Sequence, residues 1–194
     1  MTKQAVIEFF DTLAPGWDAE MIRNDAIISE ILDGAGVRAG CDVLDVACGT
    51  GVLVPDYLKR NVRSVTAVDI SPEMARIARE KFQRSGVDVQ CADVESWQPE
   101  KQFDCIVVYN AFPHFPDPEH LIAVLSGFLK PGGTLTVAHG MSRAVIDRHH
   151  SGAAAKVSMG LLHEDVLSDI FSKYLTVTVK KSDDRMYQVT GIRR

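Results

Sequence analysis

In Val43-Leu44-Asp45-Val46-Ala47-Cys48-Gly49-Thr50-Gly51, an apolar run carrying one acid meets two closely spaced glycines. Such a stretch predicts a buried strand ending near Asp45–Val46. A loop follows in which Gly49 and Gly51 let the backbone turn tightly against a ligand before a helix begins. Twenty residues after Gly49, the next strand-like run ends at Asp69. A carboxylate there stands beside the glycine loop and can accept hydrogen bonds from both hydroxyls of a ribose. Histidines are the second chemical resource. His139 ends the fifth apolar run, His114 follows the fourth, and His149-His150 lie between the fifth run and the last long helical stretch. If they converge, one or more can act as general base, or the set can hold a metal or a metal-bearing substrate.

The loop narrows the ligand. No Gly-Lys-Ser/Thr follows the glycines, which excludes a P-loop, and Val54 occupies the third position of the dinucleotide fingerprint G-x-G-x-x-G/A. A carboxylate from Asp45 at the loop mouth would repel a pyrophosphate. It would favour a ligand carrying ammonium and sulfonium charges, and S-adenosylmethionine is one.

The elements that must position these residues alternate between two hydrophobic periods. Strand-like runs at Asp42–Val46, Ser64–Val68, Val87–Cys91, Phe103–Tyr109 and Gly133–Ala138 are mostly followed by helical stretches. This implies βαβ units and a parallel sheet with helices on both faces. Ser71-Pro72-Glu73 and Asp117-Pro118-Glu119 each offer an N-cap, a proline at the first helical position and a first-turn acid, so helices are expected over about Pro72–Arg84 and Pro118–Leu129. Leu175–Lys181 and Met186–Ile192 read as an antiparallel hairpin around Ser182-Asp183-Asp184. Residues 1–40 form a helical lead-in with Val6, Phe9, Phe10 and Leu13 on one face. Pro15-Gly16 breaks it, and a second helix is expected from Asp18 to Leu32.

Length and composition set the class. The chain has 194 residues, 46% of them apolar and 24% charged, with a net charge of −5. One domain with one core is expected, and disorder is not. The negative balance argues against a grip on nucleic acid through its phosphates and against an affinity for anionic lipid. No secretory signal is visible at Met1-Thr2-Lys3-Gln4-Ala5, and no run of about 18 apolar residues exists to span a membrane. Cys41, Cys48, Cys91 and Cys105 are far apart with no C-x-x-C pair, as expected of reduced thiols in a cytoplasmic protein.

The glycine run resembles motif I of the class I, Rossmann-like S-adenosylmethionine-dependent methyltransferases, V-L-D-x-G-C-G-T-G, with Ala47 in place of its first glycine. Thr66-Ala67-Val68-Asp69-Ile70-Ser71 is similar to the second motif and Ala92-Asp93-Val94 to the third. Phe103-Asp104-Cys105-Ile106-Val107 resembles the opening of the fourth strand, and Leu129-Lys130-Pro131-Gly132-Gly133 the post-helix motif. The resemblance implies a three-layer αβα sandwich whose seven-stranded, mostly parallel sheet has the order 3-2-1-4-5-7-6, the last strand antiparallel. It also implies cofactor contacts from Asp45, Ala47, Gly49, Gly51, Asp69, Ile70, Asp93, Val94 and Asn110. One domain over 1–194 is expected, with a lead-in or lid at 1–40, a cofactor-binding core at 41–139, an active-site cover at 140–161 and a closing helix and hairpin at 162–194.

The implied reaction moves a methyl group to an acceptor by in-line displacement and releases S-adenosylhomocysteine. Asn110-Ala111-Phe112-Pro113 departs from the Asn/Asp-Pro-Pro-Tyr/Phe of enzymes that methylate exocyclic amines, which points to a small-molecule acceptor. The opening Phe9–Asp18 is similar to the lead-in of the quinone and small-molecule branch, so Trp17 and His150 are expected at the lid and substrate. His139, His114 and His149 are the expected catalytic groups, with no resident metal. A monomer or homodimer is expected. The alternatives are a non-catalytic S-adenosylmethionine-binding or regulatory module, and a methyltransferase acting on a metal-bearing substrate held by histidines.

Overall fold

Alternation along the first strand decides the layers. Every residue of β1 (Asp42–Val46) is buried. Leu44 and Val46 belong to one apolar cluster and Val43 to another. A strand buried on both faces is central and must be covered by helices on each side. The computed structural model describes residues 1–149 and 152–194; the side chains of residues 149 and 152–154 also lie outside that description.

Three helices precede β1: α1 (Lys3–Leu13), α2 (Trp17–Glu20) and α3 (Asp25–Gly34). After it come α4 (Val54–Lys59), β2 (Ser64–Asp69), α5 (Pro72–Phe82), β3 (Asp88–Cys91), β4 (Phe103–Tyr109) and α6 (Pro118–Gly127). The chain continues through β5 (Leu129–His139), α7 (Arg143–His149), α8 (Glu164–Ser172), β6 (Thr176–Ser182) and β7 (Tyr187–Ile192). The strands form one seven-stranded sheet in the order β3-β2-β1-β4-β5-β7-β6. All its pairs are parallel except those of β7, which runs antiparallel to both β5 and β6. Leu121, Ile122 and Leu125 of α6 and Leu167 and Phe171 of α8 cover one face. Ile28 and Leu32 of α3 and Tyr57 of α4 cover the other. This is the expected αβα sandwich. The strand order reverses beside β1 and β4, which opens a crevice above their carboxyl ends.

The predicted caps form. Ser71 Oγ accepts from the Met74 N–H and Asp117 Oδ1 from the His120 N–H, each ahead of a proline at the helix start. Two boundaries differ from expectation. The single helix over Asp18–Leu32 is instead α2 and α3, with Met21–Asn24 between them. Asn24 is extended and caps α3 by accepting from the Ile27 N–H, while Arg23 is tied to Asp25, to Asp56 and to the Val52 carbonyl. β5 begins at Leu129 and not at Gly133, because Leu129 already pairs with Phe103 ahead of an irregularity in register. Gly133 fits there because a Cβ would lie 3.0 Å from the carbonyl oxygens of Lys130 and Phe103.

The amino ends of the strands are tied by charge. Asp42 accepts from Arg63 Nε at 3.0 Å, Ser64 Oγ at 2.7 Å and Lys130 Nζ at 2.7 Å. Asp104 Oδ2 accepts from the Asp42 N–H at 2.7 Å and from Lys130 Nζ at 2.9 Å. Burial alone would raise the Asp42 carboxyl; these donors outweigh it and hold the group far below the usual carboxylate range. No helix among the described residues is long and apolar enough to cross a membrane.

Candidate active site

At the carboxyl end of β1 the backbone turns left-handed three times, at Ala47 (φ 53°), Gly49 (φ 56°) and Gly51 (φ 85°). For Ala47 this conformation costs about 1–2 kcal/mol, since its Cβ crowds the following carbonyl. Gly51 serves packing: a Cβ there would lie 2.5 Å from the Phe82 ring. The Gly49 N–H donates to Asp69 Oδ2 at 2.7 Å and the Ser71 N–H to Asp69 Oδ1 at 2.9 Å. Burial pushes the Asp69 carboxyl up to about 6 against the pull of these backbone donors.

Above this loop lies a cavity of about 460 Å³. Ala47, Gly49, Asp69, Ile70, Asp93, Val94 and Asn110 all line it, so seven of the nine expected cofactor residues converge on one space. Asn110 is itself left-handed (φ 53°), and its Oδ1 accepts from the Gly140 N–H at 3.0 Å, joining the exits of β4 and β5. The roof is the lead-in: Val6, Phe9, Phe10 and Leu13 of α1 face the cavity, with Trp17 beside them. The charged side chains of the wall are Glu20, Asp69, Asp93 and Glu95 against Lys3, which is itself paired with Asp93 and Glu95. A wall with this balance favours a cationic ligand and disfavours a pyrophosphate.

Two expected cofactor residues stand elsewhere. Gly51 packs on Phe82, and Asp45 is only 2% exposed and absent from the cavity wall. Strand alternation turns Asp45 to the same face as Val43, towards α3 and α4 and not up into the loop mouth. Burial, with a smaller push from Asp69, raises its carboxyl to about 8. The Tyr57 hydroxyl lies near enough to temper that rise, yet neither it nor Asp45 Oδ2 completes a well-aligned hydrogen bond among the described residues. Burial thus favours the neutral form of Asp45, and the attraction expected of its charge falls to the acids of the wall.

Of the two candidate histidines whose side chains are described, only His114 meets the cavity. His114 lines the cavity, its ring meeting Phe10 edge-on at 4.9 Å, and its Nδ1 lies 2.6 Å from the Val157 carbonyl oxygen. A carbonyl only accepts, so Nδ1 carries a proton and Nε2 is the proton-accepting nitrogen of the neutral ring. His139, expected to point at the site, is fully buried; its ring stacks edge-on with Tyr187 at 6.1 Å and does not reach the cavity. Antiparallel pairing places His139 directly opposite Tyr187, which explains that contact. His150 lies outside the described residues, as does the side chain of His149. Among the described residues no group of three or more His, Cys, Asp or Glu is arranged to hold a metal ion.

Sequence reasoning missed Phe9 and Phe10 as cavity residues and Lys3, Asp11 and Asp18 as contacts. The apolar face of α1 was legible, but only tertiary docking shows that it meets a cavity.

Residues 43–133 match a family model described as a methyltransferase domain. The chain is thus similar to methyltransferases over a little under half of its length. Its core is 39% identical over 101 residues to a ubiquinone biosynthesis O-methyltransferase of Xanthomonas axonopodis pv. citri (strain 306), a match covering 50% of this chain and 42% of that relative. The chain thus spans less than half the length of the curated relatives it matches. The N-methyltransferase NodS from Bradyrhizobium japonicum WM9, solved with S-adenosyl-L-homocysteine, superposes with a TM-score of 0.73 at 16% identity, covering 100% of this chain and 99% of that one. The [4+2]-cyclase SpnF superposes with a TM-score of 0.73 at 21% identity over 92% of this chain and 75% of its own. At these identities the two structures share the fold, which by itself hosts more than one chemistry.

Proposed function

We propose that this chain binds S-adenosylmethionine in the cavity and transfers its methyl group to a small-molecule acceptor, releasing S-adenosylhomocysteine. The observation that carries this reading is the convergence of the Gly49 turn, Asp69 at the end of β2 and Asp93 just beyond β3 on one acid-lined space. Asp69 suits the ribose hydroxyls, Ile70 and Val94 the faces of the adenine, and Asp93 its amino group. Ala47, Gly49 and Asn110 remain for the methionine portion. When bound, this cofactor supplies a methyl group on a sulfonium, which an acceptor lone pair displaces in line while the sulfur keeps the bonding electrons.

The residues of the chain position and dry that encounter. Phe9, Phe10, Trp17, Phe115, Met141 and Ile146 give the cavity apolar and aromatic walls, suited to a flat, weakly polar acceptor. His114 is the candidate base, through Nε2, for an acceptor that arrives protonated. The name of the curated relatives favours oxygen as the accepting atom. The lead-in serves as lid and the 194 residues work as one cytoplasmic unit; the net charge of −5 argues against a nucleic-acid partner.

Calorimetric titration with S-adenosylmethionine and S-adenosylhomocysteine, repeated on Asp69→Ala, tests the reading. Micromolar binding to the wild type that is lost in the variant is expected; wild-type protein that binds neither ligand would sink it. The shared fold of a [4+2]-cyclase supports a second reading, a cofactor-binding domain without methyl transfer. Binding without labelled methyl transfer to any member of a panel of phenols, catechols and amines would favour that reading.

A further inference from the structure

Three polar side chains of the lead-in reach across to the core: Lys3, Asp11 and Asp18, spaced by about two helical turns each. Each lands on a different part of the cavity rim. Lys3 pairs with Asp93 and, at 2.8 Å, with Glu95. Asp11 Oδ1 accepts from Ser71 Oγ and, at 3.1 Å, from the Glu73 N–H in the first turn of α5. Asp18 accepts from Thr50 Oγ1 and, at 2.8 Å, from Lys81 Nζ. Ser71 supplies a backbone donor to Asp69, and Thr50 sits between Gly49 and Gly51. The lead-in therefore holds the same two turns that make the Gly49–Asp69 contact. Ser71 and Thr50 are both buried, and their hydroxyl protons go to lead-in carboxylates. Neither Asp11 nor Asp18 belongs to the cavity wall, so whatever they do to a ligand they do through Ser71 and Thr50.

We propose that Asp11 and Asp18 are positioning residues that couple closure of the lead-in to occupancy of the cavity, an inference that rests on the S-adenosylmethionine reading. Docked, the two carboxylates fix the Thr50 and Ser71 turns in the shape that presents Gly49 and Asp69 to the ligand. Docking also brings the apolar face of α1 down as a roof. Coupling of this kind is reciprocal: the factor by which closure tightens the ligand is the factor by which the ligand favours closure. Affinity and lead-in protection must then fall together when the link is cut.

The test measures S-adenosylhomocysteine affinity by calorimetry, and amide hydrogen exchange over residues 3–20 with and without that ligand. The variants are Asp11→Ala/Asp18→Ala and the conservative Asp11→Asn. The double alanine variant should bind about tenfold more weakly, and the ligand should no longer slow exchange in the lead-in. Asp11→Asn keeps an acceptor oxygen for Ser71 and Glu73 and should retain both properties. Thr50→Val added to Asp18→Ala should cost nothing further, as expected of two residues acting as one pair. A role confined to stability would lower the unfolding midpoint and leave the ligand-dependent protection intact. Wild-type affinity and protection in the double variant overturn the inference alone. Failure of the wild type to bind overturns it together with the reading beneath it.

Discussion

Asp42 and Asp45 stand three residues apart on β1, and the two ends of the sheet treat their carboxyls in opposite ways. At the amino end, Lys130, Arg63 and Ser64 surround Asp42 and hold it ionised far into acid. At the carboxyl end, Asp45 is sealed beneath the glycine loop with Oδ2 unpartnered among the described residues, and its carboxyl rises to about 8. Its neighbour Asp69 has backbone donors but no cation and rises to about 6. One end spends its charges on one another and gains stability. The other buries its acids without a cation among the described residues, Asp69 on the cavity wall and Asp45 away from it.

The signs of the pH effects are opposite too. Asp45 binds its proton more tightly folded than unfolded, so its contribution is full below about pH 4 and is lost as pH rises towards 8. Asp42 binds its proton more weakly folded, so its contribution is present above the usual carboxylate range and is lost as acid protonates it. The largest expected effect follows from the first. Between pH 5 and pH 8, wild-type stability should fall relative to Asp45→Asn by on the order of 3 kcal/mol, read by denaturant unfolding at each pH. Parallel pH slopes in the two proteins would abolish the contrast.

Asp42→Ala should destabilise by about 2 kcal/mol at neutral pH, because it strands Lys130 and Arg63. Its S-adenosylhomocysteine affinity should stay within about twofold, since the site lies at the other end of the strand; a larger loss would show that the ends are coupled. Asp69 sharpens the comparison through binding. Below about pH 6 its carboxylate takes a proton and loses an acceptor, so affinity should weaken by up to about tenfold per pH unit. A flat calorimetric profile from pH 7 to pH 5 would remove Asp69 from the ligand. The smallest effect is that of Ala47→Gly, which relieves the left-handed alanine and should stabilise by about 1 kcal/mol. Destabilisation in thermal unfolding would show that the Ala47 Cβ contributes packing that outweighs the strain.

Local features of the fold were legible because their causes are local. Ser71-Pro72 and Asp117-Pro118 start helices through bonds two or three residues away, and the Gly49–Asp69 spacing places a turn beside the next strand end. The helix expected over Asp18–Leu32 breaks between α2 and α3, where Arg23 is drawn out by Asp56 and Val52, about thirty residues along the chain. His139 turns from the cavity for a similar reason. Its position at a strand end was readable, but Tyr187, delivered by the antiparallel β7, decides where its ring sits.

By itself the sequence determined the sheet with helices on both faces, the glycine turn and the acid that ends β2, since hydrophobic period and turn chemistry act over a few residues. Tertiary structure alone decided that Asp45 is buried away from the cavity and that His114, and not His139, meets it. It also decided that Asp11 and Asp18 reach Ser71 and Thr50. Burial, charge and hydrogen bonding between residues far apart in the chain depend on where other elements pack, and no local pattern encodes that distance.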